Sequence, residues 1–413
     1  MHYDILVIGA GASGIIAAIT AKNSGKNVAL IESTDRIGKK ILTTGNGRCN
    51  ITNKEIAIDR YHSENTGFPN KIINKYGLDF TKDLFFSLGL PIFNPDGEGN
   101  KFFPLSLQAS SVVDILKLTL EDLDIPIHYN SKVKSISKKD SIFNIHCSGE
   151  IEDFTCNKLI MATGGKTYPK TGSDGSGYDI CKKLGHSITP LQPSLVQLKL
   201  DFPNLKGLSG VKILGSVTIY VNDKKIKTES GELLFTDYGI SGPPIFQISR
   251  IANFALAKNK TVSISLDFFE NLDKNDLKDF LENRYGLFSY RSVFDNFIGV
   301  INKKLLPIFL KACNVDNIHK PCYELTWQER TTILNNLKTW NFPVTGYYTF
   351  TNAQVTAGGI NTNEVNDETL ESKKIKNLFF SGELLDVDGD CGGFNLQWSW
   401  SSGYVAGLNA SKF

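Results

Sequence analysis

A strand that runs into a glycine turn and a helix within the first 23 residues, the same succession again at the C-terminus, and a motif-poor middle predict an α/β fold. The expected architecture is a Rossmann-type dinucleotide-binding domain split in sequence, with an inserted β-rich subdomain and a small helical subdomain. At 413 residues the chain exceeds what one hydrophobic core usually spans. The boundaries read as 1–191 for the first part of the cofactor domain, 192–270 for the β-rich insertion, 271–340 for the helical insertion, 341–352 for a return strand, and 353–413 for the last part of the cofactor domain.

The first element is the apolar strand at residues 4–8, followed by Gly9-Ala-Gly11-Ala-Ser-Gly14, an Ala-rich helical stretch at 15–23, and a second apolar run at 28–31 ending on Glu32. Gly9 serves the tight turn, Gly11 lets the backbone approach a pyrophosphate, and Gly14 lets helix and strand pack closely. Ala12 and Ser13 sit at the helix N-terminus, whose free N–H groups suit anionic phosphate. Glu32, with Ser33 beside it, closes the second strand where a carboxylate accepts the ribose hydroxyls of an adenosine. This signature alone does not separate FAD from NAD.

Lys40 leads into Thr44-Gly-Asn-Gly-Arg-Cys-Asn-Ile-Thr-Asn53, too rich in Gly and Asn for a strand or helix interior. It is either a polar surface turn or a cofactor loop, in which Gly45, Asn46, Arg48, Cys49 and Asn50 face a pyrophosphate or flavin edge. In two-dinucleotide-fold flavoproteins the strand carrying a residue like Val133 pairs its backbone with adenine. The strand that ends in Ala162-Thr-Gly-Gly165 returns beside the pyrophosphate there, which adds Ala162, Thr163, Gly164 and Gly165. Thr171-Gly-Ser-Asp-Gly-Ser-Gly-Tyr178 reads as a phosphate-type or substrate-type turn, or as a plain loop leading into a helix.

The C-terminus separates FAD from NAD. A strand at 378–381 meets Gly382 and Glu383, a loop carries Asp388, Gly392 and Gly393, and a helix begins near Phe394, Asn395 and Leu396. This is the usual last piece of a FAD fold. Glu383 would meet the ribityl chain, and the helix N-terminus would face the pyrimidine edge of the flavin and favour negative charge there.

Between residues 192 and 350, strands are expected at 195–200, 211–221 and 261–267, and helices at 273–283, 292–297, 303–312 and 326–337. The aromatic and Gly-rich run from Phe235 to Pro244 reads as a lid or as an inter-strand loop.

Apolar residues make up 41% and charged residues 21%, with a net charge of +2 spread along the chain. No basic block marks a nucleic-acid partner, so the expected partner is a small molecule. No apolar run approaches the roughly 20 residues of a membrane span. The first strand starts almost at Met1, leaving no room for a secretion signal, so a cytoplasmic location is expected. Seven cysteines without a C-x-x-C pair fit a reducing compartment, and no metal site is expected.

The chain resembles the BaiN-like flavoprotein family, a branch of the two-dinucleotide-binding-fold flavoproteins that also include fumarate reductases and ketosteroid dehydrogenases. The resemblance rests on Gly9 to Gly14, Thr44-Gly-Asn-Gly-Arg-Cys-Asn50, Tyr168-Pro-Lys-Thr-Gly172, Gly239-Ile-Ser-Gly-Pro243, Val355-Thr-Ala-Gly-Gly-Ile360, and the run from Gly382-Glu to Gln397-Trp-Ser-Trp-Ser-Ser-Gly403. It implies non-covalent FAD, NAD(P)H as a transient co-substrate, and reduction of a conjugated double bond, as one branch does in oxo-bile acids. The turn Ser173-Asp-Gly-Ser-Gly-Tyr178 departs from the Ser-Thr-Gly-Asp-Gly-Tyr of some relatives.

A flavin takes and passes hydride, so the protein supplies positioning, electrostatics and a proton. Candidate proton donors are Tyr238, Tyr168 and Cys391, each beside a Gly-rich turn. Arg48 could offset charge on an enolate or reduced flavin, or bridge structurally to a carboxylate. The six histidines are scattered, with His186 read as a helix cap. Two other readings remain: a flavin amine oxidase releasing hydrogen peroxide, and a non-catalytic flavin-binding protein.

Overall fold

From Ile5 onward the first strand has no polar face, and strand His2–Ile8 is accordingly covered on both sides. It lies in the middle of a parallel sheet ordered Ile127–His128, Val28–Ile31, His2–Ile8, Asp153–Met161 and Leu378–Phe380. An antiparallel meander of Ile142–Ser148 and Lys132–Lys139 extends the N-terminal half of Asp153–Met161. This is the Rossmann-type FAD-binding fold, seen in a computed structural model that describes residues 1–95, 100–148 and 153–412.

The chain divides into two compact units, Met1–Pro193 with Ala353–Phe413, and Ser194–Asn352. In the first unit the sheet and the helices packed on it share one hydrophobic core. Helix Ala12–Asn23 is buried from Ser13 to Ala21, which explains its alanine-rich composition. One neighbour is the C-terminal helix Phe394–Ser411, and the two backbones touch. A Cβ on Gly403 would stand 2.3 Å from Ser13 O, and one on Gly407 2.4 Å from Ala17 O. Glycines spaced i,i+4 on one face allow this approach, so the last helix clamps the helix of the first glycine turn.

The second unit is a closed six-stranded antiparallel barrel. Its strands run Leu198–Leu200, Gly239–Ser241, Lys224–Thr236, Lys212–Val221, Val262–Asp267 and Trp340–Tyr347. Inside the core Trp340 packs against Phe342 at 4.7 Å and Phe309 at 5.3 Å between ring centroids. Helices Lys274–Leu287, Leu306–Ala312 and Trp327–Lys338 belong to this unit, the last opened by a capping box between Thr326 and Glu329.

Within the segment from Phe235 to Pro244 the inter-strand loop is only two residues long. Lys224–Thr236 and Gly239–Ser241 form a hairpin whose tip is Asp237-Tyr238, and helix Pro243–Ala257 starts directly after Gly242. The sequence reading missed this helix because Gly-Pro-Pro punctuates loops. Proline is equally at home in the first helical turn, where its missing N–H has no partner to lose. Among the described residues, no helix is long and apolar enough to cross a membrane.

Candidate functional site

The site is built at the C-terminal ends of the parallel strands, where ligands bind in open α/β sheets. Strand His2–Ile8 ends in Gly9, at φ 103°. A side chain there would strike Ala162 O at 2.5 Å, and one on Gly14 would strike Gly9 O at 1.9 Å. Both glycines are therefore demanded by the protein itself. Gly11 is not, since a Cβ on it would meet nothing within 4 Å. The space over Gly11 lies at the N-terminus of helix Ala12–Asn23, which no side chain caps. Room beside uncapped N–H groups fits a pyrophosphate.

Glu32 is buried, with Ala10 N donating to its Oε2 at 2.9 Å and Thr34 N to its Oε1 at 2.8 Å. Ser33 Oγ donates to the same Oε1 at 3.3 Å. Ser131 N donates to Glu32 O, which sets the start of strand Lys132–Lys139, and with it Val133, beside this carboxylate. Gly172 closes over the same end, since a Cβ there would stand 3.2 Å from Ser33 Oγ. The 171–178 turn leads into helix Ser176–Lys183, with Asp174 accepting from Ser176 N at 2.9 Å and pairing with Lys132 at 2.6 Å.

Lys40 and Glu383, 343 residues apart, form an ion pair at 2.5 Å. Lys40 Nζ also donates to Thr167 Oγ1 at 2.7 Å, and Glu383 Oε1 accepts from Thr356 N at 2.8 Å. Gly165 lies against this network, where a Cβ would come within 2.6 Å of Glu383 Oε1. Thr167 escaped the sequence reading, and the motif quoted above that carries Thr356 does not show its bond to Glu383. Gly382 joins the two ends of the domain: a Cβ on it would meet Ser13 Oγ at 2.5 Å.

Helix Phe394–Ser411 begins after the left-handed Gly392 and Gly393, again without a side-chain cap. Phe394 is buried edge-on to Tyr61, and the Asn395 amide is engaged with both backbone groups of Gly389 at 2.8 Å. These two side chains shape the loop, and what they leave for a ligand is backbone N–H. Leu396 is half-buried, and Asp388 is buried in a strand pair with His62. Asn53 Nδ2 donates to Gly392 O at 2.8 Å, so the loops that carry Cys49 and Cys391 lie together.

Among the enclosed side-chain oxygens that find no hydrogen-bond partner in the protein, which include those of Tyr61, Thr236, Tyr285 and Asn296, four stand at the site: Asn50 Oδ1, Thr163 Oγ1, Ser173 Oγ and Ser381 Oγ. All four belong to the loops just described. Buried polar atoms normally have partners, and a polar cofactor held across these loops supplies what the chain does not. Together with the clearing at Gly11, the residues fit FAD.

The candidate reactive groups separate. Cys49 is buried at a left-handed φ of 58°, and burial, only partly offset by a hydrogen bond with Thr44, pushes its thiol up to about 12. Cys391 is half-buried, and desolvation raises its thiol as well. Neither forms a disulfide. Arg48 is exposed and lies over the Phe103 ring at 5.0 Å, with no bridge to a carboxylate among the described residues. Tyr168 is held in the left-handed region at φ 54°, an uncommon conformation for a tyrosine, next to Thr167. Tyr238 lies in the second unit, its hydroxyl donating to Gln197 Oε1 at 2.7 Å.

His186 caps its helix through the backbone, donating from N to Cys181 O at 3.0 Å behind the left-handed Gly185. Its ring is buried between Glu364, whose Oε2 is 3.1 Å from Nδ1, and Ser372, whose Oγ is 2.9 Å from Nε2. Ser372 Oγ already accepts from Lys374 N and Ile375 N, so its proton points to His186 and the ring carries hydrogen on Nδ1. A serine with its lone pairs filled is no nucleophile, and this chain of side chains is structural. A pair that sequence reasoning passed over stands nearer the site: His62 Nε2 lies 2.9 Å from the buried Asp390. Among the described residues, no cluster of three His, Cys, Asp or Glu could hold a metal ion.

Residues 3–409 match the family model described as HI0933-like protein Rossmann domain. The 3-dehydro-bile acid delta(4,6)-reductase of Clostridium scindens is 35% identical over 408 residues, 98% of each chain. The ribosomal RNA dihydrouridine synthase of Escherichia coli is 30% identical and covers 98% of this chain and 97% of its own. Among solved structures, 3-ketosteroid delta1-dehydrogenase from Sterolibacterium denitrificans shares the fold, with a TM-score of 0.51 at 10% identity over 99% of each chain. The sheet order, the glycine turn and the full-length match converge: the chain belongs to the HI0933-like Rossmann family and is an oxidoreductase on a FAD-binding fold.

Proposed function

We propose that this protein reduces a carbon–carbon double bond conjugated to a carbonyl, drawing its electrons from NAD(P)H. One observation carries the reading. Two full-length relatives at 30% identity or more are named for different substrates that share one functional group. A 3-oxo steroid with 4,6 unsaturation and the C5–C6 bond of uracil are both alkenes conjugated to a carbonyl. Overall, NAD(P)H, a proton and the enone give NAD(P)+ and the saturated carbonyl compound.

When bound, FAD supplies hydride transfer. The chain supplies the rest. The uncapped N-terminus of helix Phe394–Ser411 favours negative charge on its ligand. The Lys40–Glu383 pair is fixed on both sides by Thr167 and Thr356, so it orients what lies against it without adding net charge. Arg48, exposed and paired with no carboxylate among the described residues, is available to an enolate oxygen. The proton is assigned to Tyr168 or Cys391, since the Tyr238 hydroxyl is already committed to Gln197.

Anaerobic mixing with NADH or NADPH tests the donor by bleaching of the flavin, and subsequent addition of an enone tests the acceptor by its return. A protein that keeps its colour under both nicotinamides, yet bleaches with an amine, refutes this reading.

A second reading concerns the substrate: a uridine in ribosomal RNA. Relatives from Escherichia coli and Haemophilus influenzae, 30% and 28% identical, carry the name ribosomal RNA dihydrouridine synthase. Charge is also unevenly divided, with 19 Lys and Arg against 15 Asp and Glu in residues 194–352, and 26 against 28 in the remainder. Dihydrouridine content of ribosomal RNA in a strain lacking the gene decides between the two substrates.

A further inference from the structure

The second unit carries 19 Lys and Arg against 15 Asp and Glu. Some of its cations are neutralised by ion pairs: Lys212 with Glu232, Lys227 with Glu229, Lys320 with Glu329, and Lys338 with Asp267, all between 2.6 and 2.9 Å. Lys199 and Lys206 make no ion pair among the described residues, and both are exposed. Both line one groove of 810 Å³, together with Phe202, Asn204, Tyr238 and Thr345. Behind the groove, the Tyr238 and Tyr348 rings stand 4.2 Å apart, and the Lys199 ammonium lies 5.2 Å from the Tyr348 centroid. Lys304 flanks the same segment, where its ammonium donates to Ser209 O.

We propose that this groove binds a single-stranded segment of RNA, an inference that rests on the ribosomal RNA reading above. Phosphates need unpaired cations, and bases need aromatic faces. The groove offers both within a few residues, on a unit whose net charge is positive. Asp237 is the one carboxylate of the lining. It repels phosphate but accepts a hydrogen bond from a ribose 2′-hydroxyl, a group that DNA lacks. The groove is open, whereas a small molecule is normally enclosed over most of its surface.

The test uses the FAD-loaded protein and a fluorescein-labelled, uridine-rich RNA of about 12 nucleotides, with fluorescence anisotropy as the readout. Each lost phosphate contact lowers the salt slope of single-strand binding by about 0.7, so removing two lowers it by about 1.4 and weakens binding about 25-fold at 0.1 M salt. Lys199→Glu with Lys206→Glu is expected to show at least this loss, and Lys199→Gln with Lys206→Gln the milder form. The control, Lys224→Glu with Lys225→Glu on the far hairpin strand, is expected to bind like the parent. Melting curves confirm that each variant is folded, and NADPH-driven bleaching is expected to be unchanged in all. If the parent binds RNA and the groove variants bind as tightly, the groove assignment is wrong while the RNA reading stands. If the parent binds no RNA, that reading falls and the groove falls with it. Groove variants that keep RNA affinity but lose bleaching by NADPH would show that the groove takes the dinucleotide instead.

Discussion

Replacing Gly11 by valine is expected to leave the apo-protein folded and remove its cofactor, whereas replacing Gly14 by alanine damages both. Gly11 sits at φ −87° and ψ −170°, an extended conformation that valine adopts readily, and a Cβ there meets no atom within 4 Å. Loss of glycine flexibility from the unfolded chain offsets the small capping change, so the stability of the apo-protein should move by less than about 0.5 kcal/mol. The valine would occupy the clearing beside the N–H groups of helix Ala12–Asn23. Losing one or two charge-assisted hydrogen bonds to a phosphate costs about 3 kcal/mol, roughly a hundredfold in Kd. Gly14→Ala puts a methyl 1.9 Å from Gly9 O, an overlap of more than 1 Å that only a backbone shift relieves. Its cost is about 3 kcal/mol or more before any ligand binds. Thermal unfolding of both apo-variants and fluorescence titration with FAD measure the two effects separately. A Gly11→Val protein that keeps stoichiometric FAD would refute the assignment of that space to the pyrophosphate.

Further outcomes follow from other parts of the first unit. Acid denaturation should release intact, non-covalent FAD, checked by chromatography; FMN alone, or flavin retained on the denatured chain, would contradict the adenosine site at Glu32. Gly407→Leu, which drives a side chain into Ala17 O, should lower the melting temperature and FAD retention together although it lies far from any ligand. Burial opposes the charge on Glu364, but Lys374 and Ser187 outweigh it and hold the carboxyl at about 2, while desolvation lowers the imidazole of His186. Both folded-state pKa values are depressed, so both contributions are present at neutral pH and are lost on acidification. The histidine part goes below about pH 6.5 and the carboxylate part, on the order of 3 kcal/mol, between about pH 4.5 and 2. Glu364→Gln should therefore flatten the acid limb of a stability–pH profile, and an unchanged limb would be a failure. Finally, Cys49→Ser with Cys391→Ser should leave uptake at two electrons per FAD in a reductive titration; four-electron uptake by the parent, lost in the double variant, would make the pair a redox centre.

What could be read from the sequence were features whose cause is local. A glycine turn after an apolar strand constrains the backbone over six residues, so Gly9, Gly11, Gly14 and Glu32 mark the first strand, turn, helix and strand by spacing alone. Gly382, Gly392 and Gly393 do the same for the last. The direction of the sheet follows, because strands joined through helices run parallel.

The tertiary structure decided whatever depends on residues that meet only after folding. The pairing of Lys40 with Glu383 and its fixing by Thr167 and Thr356 join three distant segments, and no local pattern records it. The backbone contact of Gly403 and Gly407 with the first helix is equally hidden, since small residues on a helix do not say what they pack against. Helix Pro243–Ala257 was lost to an ambiguity of local chemistry, because Gly-Pro-Pro ends a loop as readily as it starts a helix. The cap at His186 was legible in its helix, but the buried link made by its ring was not, because Glu364 and Ser372 arrive from a segment about 180 residues away. Backbone conformation is dictated by neighbours in the chain, and side-chain partnership by neighbours in space.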